Sequence, residues 1–207
     1  GKIKSGEKNV LWPGKPLYLS ETSGTTSGKK YIPITKESMP NHINAARDAI
    51  LMYIWETKNT SIVSGKMIFL QGSPKLTKMG GILTGRLSGI VAHHIPFYLK
   101  QNRLPSFQTN CIEDWDKKVN AIVEETMEEK MTVIGGIPPW VQMYFEKINK
   151  QTGENINSIF PFFSLFVYGG VNFDPYKKTF DSLIGEKIDS VELYPASEGF
   201  IAYQDSQ

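Results

Sequence analysis

Three short apolar runs, each stopped by small residues, constrain the fold of this chain more than any other feature. Met131-Thr132-Val133-Ile134 ends at Gly135-Gly136, and Pro138-Pro139 then opens a helical pattern through Trp140, Met143, Tyr144 and Ile148. Leu165-Phe166-Val167-Tyr168 ends at Gly169-Gly170, and Pro175 opens a second helix carrying Phe180, Leu183 and Ile184. Ser190-Val191-Glu192-Leu193-Tyr194 reads as the last strand. Proline suits a first helical turn, where the missing amide has no partner to lose. The same rhythm extends backwards. Thr35 or Ser38 can cap a helix with Pro40 in its first turn and Ile43, Ala46, Ile50, Tyr53 and Ile54 recurring on one face. A strand follows over residues 66–71, and Asp114 caps a helix that turns Val119, Ile122, Val123, Thr126 and Met127 inward. Short apolar strands alternating with helices require parallel pairing with helices on the faces. The expected class is α/β, a mostly parallel sheet flanked by helices.

Composition bounds the function. The 207 residues are 40% hydrophobic and 21% charged, enough for one sizeable domain with a real core. A net charge of +2 gives no reason to expect nucleic acid or a membrane surface as partner. The single cysteine, Cys111, excludes an internal disulfide and suits a cytoplasmic location. Glu124, Glu125, Glu128 and Glu129 lie opposite the apolar face of their helix and read as a solvated surface rather than catalytic carboxylates. Gly135-Gly136 reads as a tight turn. His93-His94 makes a poor metal pair, because adjacent side chains diverge on helix or strand.

Residues 21–30 cannot belong to any core. Glu21-Thr22-Ser23-Gly24-Thr25-Thr26-Ser27-Gly28-Lys29-Lys30 holds five hydroxyls, two glycines and two adjacent lysines between apolar segments at 16–20 and 31–35. Glycines admit close approach to an anion, hydroxyls and amides donate to it, and lysines add charge. A loop pinned between two strands is a fixed concavity, and it reads as a phosphate cradle. It is not a Walker loop. Only three residues separate Gly24 from Gly28, and Lys30 stands where a magnesium-binding hydroxyl belongs. The order instead resembles the phosphate loop of adenylate-forming enzymes. Ligands of parallel sheets sit beyond the strands' carboxyl ends, where Gly169-Gly170 and Pro195-Ala196-Ser197-Glu198-Gly199 fall. For Glu198 two readings stand side by side, a surface carboxylate or a magnesium ligand.

At Tyr194-Pro195-Ala196-Ser197-Glu198-Gly199 the resemblance narrows to one family. With residues 21–28, Tyr31-Ile32-Pro33, Gly135-Gly136-Ile137-Pro138-Pro139-Trp140 and Tyr168-Gly169-Gly170-Val171-Asn172, it resembles the auxin-responsive acyl-acid amido synthetases of plants, and more closely their bacterial relatives. The resemblance implies that a carboxylic acid and MgATP give an acyl-adenylate, from which an amine, often an amino acid, takes the acyl group. It implies that Ser23, Gly24, Thr25, Thr26, Ser27 and Gly28, helped by Lys30, hold the β- and γ-phosphates of ATP. Gly169, Gly170, Tyr194 and Ala196 would border the nucleotide, Ser197 would meet the α-phosphate, and Glu198 would hold the magnesium. Leu83, Leu87, Ile90 and Val91 are the candidates for an apolar acyl pocket, although the same residues fit ordinary packing. An acyl-CoA ligase and a non-catalytic remnant of the fold are the alternatives.

Members of that family are longer. An acidic residue on the ribose, a hinge and a C-terminal domain with a catalytic lysine are all expected beyond Gln207. Residues 1–207 therefore read as an incomplete N-terminal adenylation domain, partnered by the missing C-terminal domain and expected to turn over slowly or not at all by itself.

Overall fold

The computed structural model describes residues 1–22 and 28–207. Two sheets organise them. The first is built from β1 (Tyr18–Glu21), β2 (Tyr31–Ile34), β4 (Thr77–Met79) and β5 (Ile82–Gly85), in the order β2-β1-β5-β4. β1 pairs antiparallel with β2 and parallel with β5, while β4 and β5 form an antiparallel hairpin. The second sheet holds β3 (Lys66–Leu70), β6 (Arg103–Leu104), β7 (Met131–Gly136), β8 (Leu165–Gly169), β9 (Asp189–Ala196) and β10 (Gly199–Tyr203), in the order β10-β9-β8-β7-β3-β6. Every pair in it is parallel except β9 with β10. The mostly parallel sheet is thus the larger of two, and the smaller one is mixed.

Eight α-helices connect these strands: α1 (Met39–Thr57), α2 (Leu87–Ala92), α3 (Phe97–Lys100), α4 (Phe107–Asn110), α5 (Trp115–Thr126), α6 (Pro138–Thr152), α7 (Ile156–Ile159) and α8 (Lys177–Ile184), among the described residues. The larger sheet is buried on both faces, because alternate strand residues serve different cores. Ile68, Ile134 and Phe166 join Ile122 of α5, Phe145 of α6 and Phe180 of α8 on one side. Val133, Leu165, Val167 and Val191 join Ala49 and Tyr53 of α1 on the other. A smaller core under the first sheet contains Tyr18, Ile34, Met39 and Ile90.

Several boundaries differ from expectation. Gly135 and Gly136 lie within β7 and not in a turn. A Cβ on Gly135 would meet the Val167 carbonyl oxygen and the Phe69 ring at 2.7 and 2.8 Å, so pairing and packing together require glycine there. The α1 face is also rotated from the one expected. His42, Ala49 and Tyr53 are buried, whereas Ile43, Ala46, Ile50 and Ile54 are only half-buried. Thr35 and Ser38 bond each other ahead of the helix instead of capping it, the Ser38 hydroxyl accepting from the Thr35 amide at 3.0 Å. Asp114 caps α5 as expected, its carboxylate accepting from the Lys117 amide at 2.9 Å. On α6 Met143 faces solvent, and Val141 and Phe145 take the inward positions with Tyr144 and Ile148. Pro175 sits in a single 3-10 turn, Asp174–Tyr176, and α8 begins after it.

The glutamates of α5 need the largest correction. Glu125 is half-buried, and its carboxylate accepts the Ser106 amide and hydroxyl, both at 2.7 Å, and the Thr109 hydroxyl. It therefore fastens the start of α4 to α5. Partial burial pushes its pKa up, but the donors from Thr109 and Ser106 outweigh that and hold it below the usual carboxylate range. Helical periodicity could not reveal this, because the donors arrive from another element.

Candidate nucleotide and acyl site

β1 and β2 form a hairpin whose connection is the Gly/Ser/Thr loop. Ser23, Gly24, Thr25, Thr26 and Ser27 lie outside the described residues. The mouth of the loop is described. Glu21 pairs with Tyr31 in the ladder, and the Thr22 amide donates to the Lys30 carbonyl at 3.0 Å. Gly28 is exposed, with φ at +82, a backbone conformation that suits glycine. Lys29 forms an ion pair with Glu21 at 2.5 Å, whose hydrogen bond and charge raise the lysine pKa. Lys30 is exposed and has no ion-pair partner among the described residues, so its ammonium is the uncommitted one.

The second component comes from the far end of the chain. β9 runs on through Pro195 to Ala196, and β10 returns antiparallel with Gly199 opposite Ala196. Ser197 and Glu198 are therefore the two-residue turn of a hairpin. Residues 190–194 are not the last strand. The turn stands at the carboxyl edge of the parallel strands, as do Gly169 at the end of β8 and Gly170 just beyond it. Gly169 has no room for a side chain, since a Cβ there would run into the Leu193 carbonyl oxygen of the neighbouring strand. Gly170 has φ at +85. Tyr194 is 60% exposed on the adjacent strand, one position after Leu193, the ladder partner of Gly169.

Tertiary folding joins the two components directly. The hydroxyls of Ser20, at the end of β1, and Ser197 lie 2.8 Å apart in a hydrogen bond spanning 177 positions of sequence. Ser20 is fully buried, so this contact fixes the mouth of the loop against the Ser-Glu turn. Glu198 is exposed and has no hydrogen-bond or ion-pair partner among the described residues, which leaves its carboxylate able to meet a cation. Among the described residues, the exposed Lys30 ammonium on one side and the Glu198 carboxylate on the other fit the charges of a magnesium nucleotide.

Two clefts adjoin this region. One, about 370 Å³, is lined by Ser38, Asn41, His42, Ala45, Glu198 and Phe200 among others. The other, about 550 Å³, has Tyr18, Leu76, Leu83, His93 and Phe107 in its walls. Of the apolar acyl candidates, Leu83 lines this larger cleft, Ile90 is fully buried core, and Leu87 and Val91 pack against that core. His93 and His94 are satisfied locally, by the Pro74 carbonyl and the Tyr18 hydroxyl, each at 2.9 Å. Burial, and to a lesser degree His93, lower the pKa of His94. No cluster of three or more metal-ligating side chains occurs among the described residues. No helix among them is long and apolar enough to cross a membrane.

Residues 1–113 match the GH3 family N-terminal domain. The chain belongs to the GH3 family. Its fold matches part of the fold of solved GH3 synthetases. AtGH3.15 acyl acid amido synthetase in complex with 2,4-DB superposes with a TM-score of 0.70 at 13% identity, over 96% of this chain and 44% of that one. A second structure, GH3.15 acyl acid amido synthetase, gives 0.62 at 12% identity, over 97% of this chain and 44% of that one. This chain thus spans less than half the length of those relatives. No curated protein matches it. The family match ends at residue 113, whereas the Ser-Glu turn lies at 197–198, so the two sides of the candidate site come from inside and outside the matched segment.

Two side chains of this site escaped the sequence analysis. Ser20 reads as one polar position in a strand, and nothing near it in sequence points to a bond with Ser197. His42 stands between Asn41 and Ile43 in a helical pattern, and only the fold brings it beside Glu198. The polar interruption at Ser20 beside the loop was the one available signal.

Proposed function

We propose that this chain is part of an ATP-dependent ligase that activates a carboxylic acid as its acyl-adenylate and passes the acyl group to an amine such as an amino acid. The hydrogen bond between Ser20 and Ser197 at 2.8 Å carries this reading, because it ties the phosphate-type loop to the Ser-Glu turn. In adenylation a carboxylate oxygen attacks the α-phosphorus. An oxygen–phosphorus bond forms, the bond to the β-phosphate bridging oxygen breaks, and pyrophosphate leaves with that electron pair. Negative charge grows on the leaving group, so donors and cations fixed around it lower the barrier.

Residues 23–28 with Lys30 take the β- and γ-phosphates in this reading. Ser197 takes the α-phosphate, and Gly169, Gly170, Tyr194 and Ala196 border the adenine. Glu198 holds the magnesium, which when bound supplies positive charge to the phosphates. The acid must present its carboxylate at Ser197, which favours the cleft containing Glu198 over the one containing Leu83. Transfer to the amine, and the further domain it would require, rest on the relatives alone.

Calorimetric titration with MgATP tests the reading. The chain is expected to bind saturably and only with magnesium. Glu198→Gln and the double variant Thr25→Ala/Thr26→Ala should each weaken binding about tenfold or more. A folded chain that ignores MgATP would leave a binding module without the chemistry.

A further inference from the structure

We infer that Gln71-Gly72 seats a multiply charged oxyanion of the phosphate class beside Arg86 and Arg103, and that this anion is the pyrophosphate released by adenylation. The second half rests on the adenylation reading; the site itself does not. Gln71-Gly72 follows β3 directly, at the carboxyl edge of the parallel strands, where ligands of such sheets bind. Three cations converge on this dipeptide. The Arg86 side chain lies across Gly72, with Nη1 and Nε 3.6 and 3.7 Å from where a Cβ would stand. The Gln71 side-chain amide, in the orientation that satisfies both neighbours, accepts from Arg103 Nη2 at 2.7 Å and donates to the Ser88 carbonyl at 3.3 Å. The Lys118 ammonium donates to the Gln71 carbonyl at 2.8 Å. None of the three has a carboxylate within ion-pair distance among the described residues.

Carbonyl and amide dipoles satisfy hydrogen bonds but leave the charges uncancelled. Lys118 is fully buried and Arg103 half-buried, and burying a charge without a counter-ion is costly. Burial pushes the Arg103 guanidinium down to about 10, so it stays charged at neutral pH. No nitrogen of Arg103 is both buried and unpartnered, so Nε and Nη1, which Gln71 does not use, open to solvent. Arg86 is exposed and forms the outer rim. Two guanidinium forks backed by an ammonium match an anion with several acceptor oxygens and two or more charges; a monocarboxylate would leave most of that charge unanswered. The position separates this anion from the α-phosphate. Three strand spacings lie between β3 and β9, about 14 Å, so the cluster is too far from Ser197 to share its ligand. It nevertheless adjoins the phosphate loop. Arg86 follows Gly85, the ladder partner of Ser20, and its charge opposes the rise that the Glu21 hydrogen bond gives the Lys29 pKa. A pyrophosphate leaving that loop meets these cations next.

The probes are pyrophosphate, inorganic phosphate and acetate, titrated without nucleotide into the chain carrying ¹⁵N-labelled arginine. Pyrophosphate should bind about tenfold or more tightly than acetate and shift the Nε signals of Arg86 and Arg103 together. Arg86→Gln changes an exposed side chain and should weaken that binding about tenfold without disturbing the fold. Arg103→Lys keeps the charge, loses the fork and should weaken it less. Thr25→Ala/Thr26→Ala should leave both arginine shifts in place. The inference is overturned if no anion moves the two signals in the folded chain, if acetate binds as tightly as pyrophosphate, if Arg86→Gln has no effect, or if the loop variant abolishes the shifts. Phosphate binding as tightly as pyrophosphate keeps the site and overturns the pyrophosphate assignment. Arginine shifts in a chain that ignores MgATP keep the site and refute adenylation. MgATP binding with arginine signals that pyrophosphate leaves unmoved does the reverse.

Discussion

Individual side chains in this molecule are fixed by partners that arrive from other elements. Glu125 is the clearest case, accepting three hydrogen bonds from Ser106 and Thr109. Its folded pKa is depressed, so the unfolded chain binds more protons in the acid range. The stabilisation is present above the unfolded carboxylate pKa and is lost as pH falls through the lower folded value. Glu125→Gln should therefore lose about 1–2 kcal/mol at pH 7 and show a flatter stability profile below about pH 5. Urea unfolding of both proteins across pH 3–7 checks this, and parallel profiles would deny the carboxylate its role. Lys118 is the opposite case, because a lowered pKa disfavours the charged form of a base. It is buried, donates to the Gln71 and Asn110 carbonyls at 2.8 Å each, and has its pKa lowered by that burial.

Between elements, the spacing of paired strands decides which glycines are obligatory. Gly169 lies against the Leu193 carbonyl, so Gly169→Ala must force β8 and β9 apart. Gly153 ends α6 with φ at +74 and open space where a Cβ would stand, so Gly153→Ala meets only backbone strain. The expected costs are more than about 3 kcal/mol for the first and about 1 kcal/mol for the second. Denaturant midpoints with unchanged m-values would measure both. Equal costs would mean that the β8–β9 ladder yields more easily than its geometry indicates.

Across the whole molecule, the two sheets meet at the candidate site. The Ser20–Ser197 hydrogen bond joins β1 of the smaller sheet to the hairpin turn of the larger, while α1 leaves one sheet and covers the other. A double-mutant cycle with Ser20→Ala and Ser197→Ala should return a coupling of about 0.5–1.5 kcal/mol in global stability. A coupling near zero would mean that apolar packing alone holds the sheets together at that point.

The longer strands and helices of the parallel sheet were legible in the sequence because they depend on local periodicity, whereas the short β4, β5 and β6 were not. Runs such as residues 131–134 and 165–168 are apolar on both faces, and prolines mark where α6 and the turn before α8 begin. The two short strands on either side of the polar loop were legible as extended apolar segments, and the Ser-Glu pair as a polar stop at a strand's carboxyl end. The rotation of α1, the duty of Glu125, the return of β10 and the meeting of Ser20 with Ser197 were not legible. Each depends on contacts between positions far apart in the chain. Periodicity reports which face of a segment is apolar, and only the packed sheets decide what that face, and the polar groups beside it, will meet.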